Sequence, residues 1–317
     1  MGTTNPNLPI KSWSISDFKT ILPPDVIKQL DYIFFCGNYG DPLMCTDLID
    51  MISYTMDNNP EFSFGIHTNG SLRSKTWWKD LAKVLPPNHQ VTFALDGLSD
   101  THSLYRVGTD FDTVLENART FIEAGGRAEW KFIKFRHNQH QVDEARQISR
   151  ELGFINFWAL DSLRWYRPKF PVHVDNEITH YLEPTDTSAL TIVTDSLLEN
   201  MDNILSQITI SCMAQHRQEA FISFDGTVLP CCYLSQIPYI TVDADAPDAG
   251  KAIATINKEQ YKELMKSLGG AHKLNSLDRS LEDIINSQEY QTVWETYWNH
   301  KKLVTCAHNC GKKREHV

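Results

Sequence analysis

The chain has 317 residues, of which 41% are hydrophobic and 22% charged, and its net charge is −10. This length allows about two domains, each able to bury a core of its own, and the composition is that of a folded globular protein, not a disordered one. The acidic balance excludes a sequence-independent grip on nucleic acid, which depends on a surplus of Lys and Arg set against phosphates. A peptide or a small molecule is the expected partner. No run approaches the about 20 apolar residues of a membrane helix. The opening MGTTNPNLPIKSW lacks the basic and apolar regions of a secretion signal, and Pro6 spoils a myristoylation start at Gly2. No membrane association and a cytoplasmic, reducing compartment follow as expectations, in which seven cysteines, clustered toward the C-terminus, read as metal ligands or core residues before disulfides.

In chain order, Ser14 to about Leu30 predicts a helix, capped by Ser14 and Ser16-Asp17, with no strand before it. Apolar strands follow near Tyr32–Cys36, Phe62–Ile66, Val91–Asp96, Trp130–Phe135 and Asn156–Leu160, spaced by roughly 30 residues, the length of one βα unit. Helical periodicity lies between them: Phe111, Val114, Leu115, Ala118, Phe121 and Ile122 share one face, as do Val142, Ala145, Ile148 and Leu152. Gly125-Gly126 and Gly153 supply helix stops. Alternating strands and helices imply an α/β fold with a parallel sheet, either open and doubly wound or a barrel or partial barrel; in both, ligands gather at the carboxyl ends of the strands. From Asp161 to Ile210 the period fails, and Pro168, Pro171 and Pro184 mark a connecting segment. Beyond Ser211 come a short hairpin, FISFDGTVLP, an acidic insertion, helices over Lys258–Leu268 and Ser280–Trp298, and a final cysteine pair.

Three constellations could carry chemistry. CGNYGDP, residues 36 to 42, follows the first strand; its glycines permit close backbone approach to a ligand and Asp41 offers an acceptor, although a Gly-Asp-Pro turn is often structural. Polar groups end the next strands: His67, Thr68 and Asn69 with Gly70, Asp96 with Gly97, then Arg136, His137 and Asn138. Each has an ordinary turn explanation, but their recurrence at one rim of the sheet points to a site. The third comprises Cys212, then Cys231 and Cys232 after Gly226, then Cys306 and Cys310. A hairpin turning at Asp225-Gly226 would return Cys231 toward Cys212, and Cys306 and Cys310 share a face if helical. Four thiolates suit an iron-sulfur cluster or a structural zinc. The aromatic and basic stretch Trp165 to Phe170 either contacts substrate or packs on the sheet.

FFCGNYGDPLMCTDLIDMI, IHTNG, FALDGLSDTHSLYRVGTDFDTVLENARTFIEAGG and FIKFRHNQHQVDEARQISRELGF together resemble the radical S-adenosylmethionine (SAM) superfamily, in the branch with a SPASM-type C-terminal domain. The resemblance covers about residues 10 to 160 and resumes at Ser211. It implies a partial (β/α)6 TIM-like barrel over 1–160, here lacking its first strand and cluster loop, a connecting segment over 161–210, and a small α+β iron-sulfur domain over 211–317. It also implies that Tyr39, Gly40, Asp41 and Pro42 meet the methionine end of SAM, with Asp for the usual Glu, and that Thr68, Asn69, Asp96 and Asn138 face the cofactor. Ala94 stands where many relatives have Ser. In the C-terminal part it implies one auxiliary 4Fe-4S cluster on Cys212, Cys231 (preferred to Cys232), Cys306 and Cys310.

Family members bind the catalytic 4Fe-4S cluster through C-x3-C-x2-C after the first strand, and the chain contains no such motif. Cys36 and Cys45 read as small hydrophobes, not substitutes. The missing loop would precede Asn5 to Lys11, so the expectation is a truncated and inactive form of an enzyme that cleaves SAM reductively to a 5'-deoxyadenosyl radical and modifies a peptide or small molecule. SAM, a second cluster and an electron donor belong to the intact form, and no catalytic side chain is assigned. The alternatives are a degenerate iron-sulfur binding protein without radical chemistry and a zinc-stabilised module.

Overall fold

The computed structural model describes residues 8–38, 40–162, 169–174, 177–186, 198–241 and 248–313. Tyr39, most of the Trp165 to Phe170 stretch and the start of the acidic insertion lie outside the described residues. The chain divides into two compact units, one formed mainly by residues 23–192 and the other mainly by residues 193–317.

The first unit is built on a five-stranded parallel sheet in the order β1 (Tyr32–Phe35), β2 (Ser63–Thr68), β3 (His89–Ala94), β4 (Ala128–Lys134), β5 (Asn156–Asp161). Strictly sequential order has no switch point, so of the two α/β arrangements open to the sequence this is the barrel-wall type, not the doubly wound one. One face alternates into the core: Phe64, Ile66, Phe93, Trp130 and Phe132 are at most 1% exposed. The helices at Lys75–Val84 and Phe111–Glu123 cover it through Trp78 and Phe121, whose rings lie 5.1 and 6.2 Å from that of Phe93. Gly153, at φ 85°, closes the helix Val142–Leu152 in the left-handed conformation that favours glycine.

Two expectations need correction here. The helix over Ser14–Leu30 is two pieces, Ile15–Ile21 and Pro24–Ile27. Ser14 and Asp17 do form a reciprocal capping box (Asp17 N to Ser14 Oγ 3.1 Å; Ser14 N to Asp17 Oδ2 2.9 Å), but adjacent Pro23 and Pro24 lack the N–H groups that would continue the ladder. The segment after Asp161 also contains regular structure, an antiparallel hairpin of β6 (Phe170–Val174) and β7 (Glu177–Leu182). Its Leu182, Phe170 and Val172 pack with Phe135, Ile133 and Tyr105.

In the second unit the FISFDGTVLP hairpin forms as β9 (Phe221–Ile222) and β10 (Val228–Leu229). Gly226 turns it at φ 90°, where an added Cβ would lie 2.4 Å from Asn275 Oδ1. A second small sheet pairs β8 (Ile208–Ile210) with β11 (Gly311–Lys313). The helix expected at 258–268 starts earlier, spanning Asp248–Ser267. The one expected at 280–298 is broken into Leu281–Ile285 and Gln288–Thr296, because Ser287 accepts a hydrogen bond from Tyr290 N (3.3 Å) and begins a new helix. No helix among the described residues is long and apolar enough to cross a membrane.

Candidate functional site

At the carboxyl ends of β1 and β2, Asp41 is the centre of a closed hydrogen-bond group. Its carboxylate accepts from Leu43 N (3.0 Å), Thr68 Oγ1 (2.9 and 3.0 Å to its two oxygens) and Asn69 N (2.6 Å). Three donors leave about one of a carboxylate's four acceptor positions for a ligand. Close backbone packing in this loop falls at Gly37, where a Cβ would sit 1.9 Å from Gly40 O; Gly40 itself has open space. The Asn69 carboxamide turns away to accept from Ser71 N (2.9 Å) and Ser71 Oγ (2.7 Å).

A second group lies at the ends of β3 and β4. Asp96 is fully buried and accepts from Arg106 Nε (2.6 Å) and Ile133 N (2.5 Å). Asn138, also fully buried, donates to Asp96 O and Ile133 O (both 3.0 Å) and accepts from Phe135 N (2.7 Å). Burial opposes the charge on Arg106, but Asp96 and, more weakly, Tyr105 and Asp41 outweigh it and hold the guanidinium charged. The positions expected at the rim therefore fall into two sets, Asp41–Thr68–Asn69 and Asp96–Asn138, with Arg106 under the field of both. Arg106 was visible in the LYRVGT run, but a lone Arg carries no sequence signal of a buried partner.

His67, expected at the rim, instead lies on the sheet face opposite the helices, whose other residues sequence reading missed. Side chains alternate along each strand, and the register puts Phe34, His67, Thr92, Glu129, Lys131, Asn156 and Trp158 on that face, with His67, Thr92, Glu129 and Asn156 in one row. Glu129 is 8% exposed and accepts from Thr92 Oγ1 (3.1 Å) and Asn156 Nδ2 (2.6 Å). Burial pushes His67 down to about 4, so it is neutral near pH 7. Phe34 and Trp158 remain 42% and 48% exposed, which makes this face mixed aromatic and polar. The period-2 alternation in VTFA and AEWKFIK was the available signal.

In the second unit Cys212, Cys231, Cys306 and Cys310 line one cavity, with Ile210, Pro230, Trp298 and Asn309 among its other walls. Cys306 and Cys310 lie one turn apart on the helix Val304–Cys310. The β8–β11 pairing brings Cys212 in beside them, since Ser211 N donates to Cys310 O at 2.9 Å. Cys231 arrives at the end of the β9–β10 hairpin, whereas Cys232 starts the short helix Cys232–Ser235 and is not part of the cavity wall. Among the described residues no three His, Cys, Asp or Glu side chains stand close enough together to hold a single metal ion.

Residues 212–311 match the family model of SPASM, an iron-sulfur cluster-binding domain. Over these residues the C-terminal unit is similar to a SPASM domain. The resemblance read from the sequence is thus borne out for this part of the chain, and all four cysteines of the cavity fall inside the match. Their chemistry fits the group. Burial pushes the Cys231 thiol up to about 11 and that of Cys306 higher still, while the backbone N–H groups of Tyr233 and Leu234 face the Cys231 sulfur and those of Ala214 and Gln215 face Cys212, each pulling downward. N–H groups aimed at sulfur stabilise thiolate character once a metal displaces the protons. No curated protein matches the chain. Among solved structures it is similar to native anSMEcpe with bound AdoMet and Cp18Cys peptide (14% identity, covering 88% of this chain and 74% of that one, TM-score 0.49). It is also similar to SuiB of Streptococcus suis bound to S-adenosylmethionine (17%, 74% and 56%, 0.47) and to BtrN in complex with AdoMet and 2-DOIA (16%, 95% and 81%, 0.43).

Proposed function

We propose that the chain is the SAM-binding barrel wall and auxiliary-cluster domain of a radical SAM enzyme of the SPASM branch, acting on a peptide or small molecule. The observation that carries this reading is the coexistence of a four-cysteine cavity within the SPASM match and a polar rim at the carboxyl ends of β1 to β4. Cys212, Cys231, Cys306 and Cys310 would hold one 4Fe-4S cluster, which supplies electron transfer or a substrate anchor when bound. The last acceptor position of Asp41 would take the ammonium of the methionine end of SAM. Thr68 and Asn69 N, already donating to that carboxylate, would fix its direction. Asp96 and Asn138 act as positioning residues, tying the Arg106 guanidinium and the end of β4 into place.

These 317 residues contain no C-x3-C-x2-C, so by themselves they supply no set of three thiolates for a cluster with an open iron. On this reading the chain binds SAM weakly and does not cleave it. The test is equilibrium dialysis of anaerobically reconstituted protein against labelled SAM, with chromatography for 5'-deoxyadenosine after strong reduction. Weak binding that Asp41→Ala abolishes, without 5'-deoxyadenosine, supports the reading. Formation of 5'-deoxyadenosine would require Cys36 or Cys45 to serve as ligands and would overturn the assignment of the cysteines, and binding unchanged by Asp41→Ala would remove Asp41 from the SAM site.

A further inference from the structure

The second unit holds another cavity, of about 330 Å³, large enough for a small ligand or a peptide end by the usual range of about 300 to 1,000 Å³. Its floor is apolar: Leu268, Leu274 and Tyr290 are 2, 3 and 6% exposed. Its rim is basic, with His272, Lys273 and Arg279 against one acid, Glu289. In a chain of net charge −10 this is a local reversal of sign. Arg279 is oriented by two backbone carbonyls, Lys273 O (3.4 Å) and Asp283 O (2.7 Å), which leaves three of its five donors unspent. Neither Arg279 nor Lys273 has a carboxylate partner among the described residues.

We infer that this cavity binds a carboxylate carried on an apolar body, with Arg279 and Lys273 taking the carboxylate and Leu268, Leu274 and the Tyr290 ring receiving the apolar part. A planar guanidinium matches a carboxylate bidentately, and an apolar floor beneath it selects against a bare inorganic anion. Two sources present this chemistry: the C-terminal end of a peptide and a free apolar amino acid. The inference stands on this cavity alone and does not need the radical SAM reading. Tyr290 gives it an internal reporter. Its ring lies 5.7 Å from that of Trp294, which stacks at 6.1 Å on Trp298 in the wall of the cysteine cavity.

The test is calorimetric titration of the metal-loaded full chain with N-acetyl-leucine (a peptide terminus), leucine (the free amino acid), leucinamide and inorganic phosphate, repeated with Trp294 fluorescence as readout. N-acetyl-leucine, leucine or both should bind with a Kd below about 1 mM, weakening as salt is raised, and whichever is tighter identifies the source. Leucinamide and phosphate should bind at least about tenfold more weakly. The double variant His272→Gln, Lys273→Gln, whose exposed side chains support no described hydrogen bond, should lose about tenfold in affinity with unchanged melting temperature and iron content. Glu289→Gln should tighten N-acetyl-leucine by removing a like charge. Equal binding of leucinamide or phosphate, no binding of either carboxylate, or a double variant of wild-type affinity would overturn the inference.

Discussion

Replacing Asp96 by Ala removes the acceptor for two donors at once. Asp96 is fully buried, and Arg106, whose side chain is 26% exposed, donates to it through Nε at 2.6 Å. Ile133 N, near the carboxyl end of β4, donates at 2.5 Å. Removing one partner from a buried ion pair costs about 3 to 5 kcal/mol, because the remaining charge is left uncompensated; partial access of Arg106 to water argues for the lower half of that range. The orphaned Ile133 N–H adds about 1 to 3 kcal/mol if no water reaches it. A loss of at least about 4 kcal/mol is therefore expected, a quarter or more of a typical margin of about 5 to 15 kcal/mol. Asp96→Asn keeps an acceptor and should lose about half as much. Urea unfolding followed by tryptophan fluorescence checks this, since Trp130 Nε1 donates to Leu95 O beside the site (2.8 Å). Asp96→Ala within 0.5 kcal/mol of the parent (about the spread of neutral surface changes), accompanied by loss of SAM affinity, would refute the positioning role and restore Asp96 as a direct ligand.

Three further predictions follow from named groups. His102 is 1% exposed and burial pushes its pKa down to about 4; Nδ1 accepts from Asp96 N (3.3 Å) while Nε2 faces Thr109 Oγ1 (2.9 Å). The unfolded state then binds the extra proton first, so stability is complete above about pH 6.5 and falls as pH drops toward 4, by up to about 3 kcal/mol; His102→Gln should flatten that slope in urea titrations between those limits. Gly226→Ala forces a Cβ into Asn275 at a positive φ, and should lower the melting temperature of the second unit and its iron loading together, since the hairpin carries Cys231; unchanged loading would separate the turn from the site. Asp41→Asn should leave the 3₁₀ turn at Pro42–Met44 weakened, costing about 1 to 2 kcal/mol in unfolding experiments, because one carboxylate oxygen that accepts from the backbone becomes a donor.

The five parallel strands were legible because each is a short apolar run at a regular interval, and their ends were read to within about three residues. The polar rim was legible for the same reason: Thr68, Asp96 and Asn138 each break an apolar run. What they do there was not, since spacing says nothing of the bonds between loops, and Asp41, Asp96 and Asn138 spend much of their capacity on backbone groups of neighbouring loops and strands. Cys212, Cys231, Cys306 and Cys310 were chosen as a set, and they share one cavity. The pairing of Ile208–Ile210 with Gly311–Lys313 that brings Cys212 beside Cys310 was hidden, because three-residue strands about 100 residues apart leave no periodicity to detect. The basic cavity was hidden likewise: His272 and Lys273 come from a 3₁₀ turn, Arg279 from the loop after it and Glu289 from a later helix, and together they form no motif.

The central claim, a cluster on the four cysteines, is tested most directly by metal and sulfide analysis of protein purified without oxygen, for the parent and for Cys306→Ala, Cys310→Ala and Cys232→Ala. About four iron and four acid-labile sulfide per chain are expected, lost in the Cys306 and Cys310 variants and kept in the Cys232 variant. One equivalent of zinc with no sulfide, or iron that survives both substitutions, would contradict it.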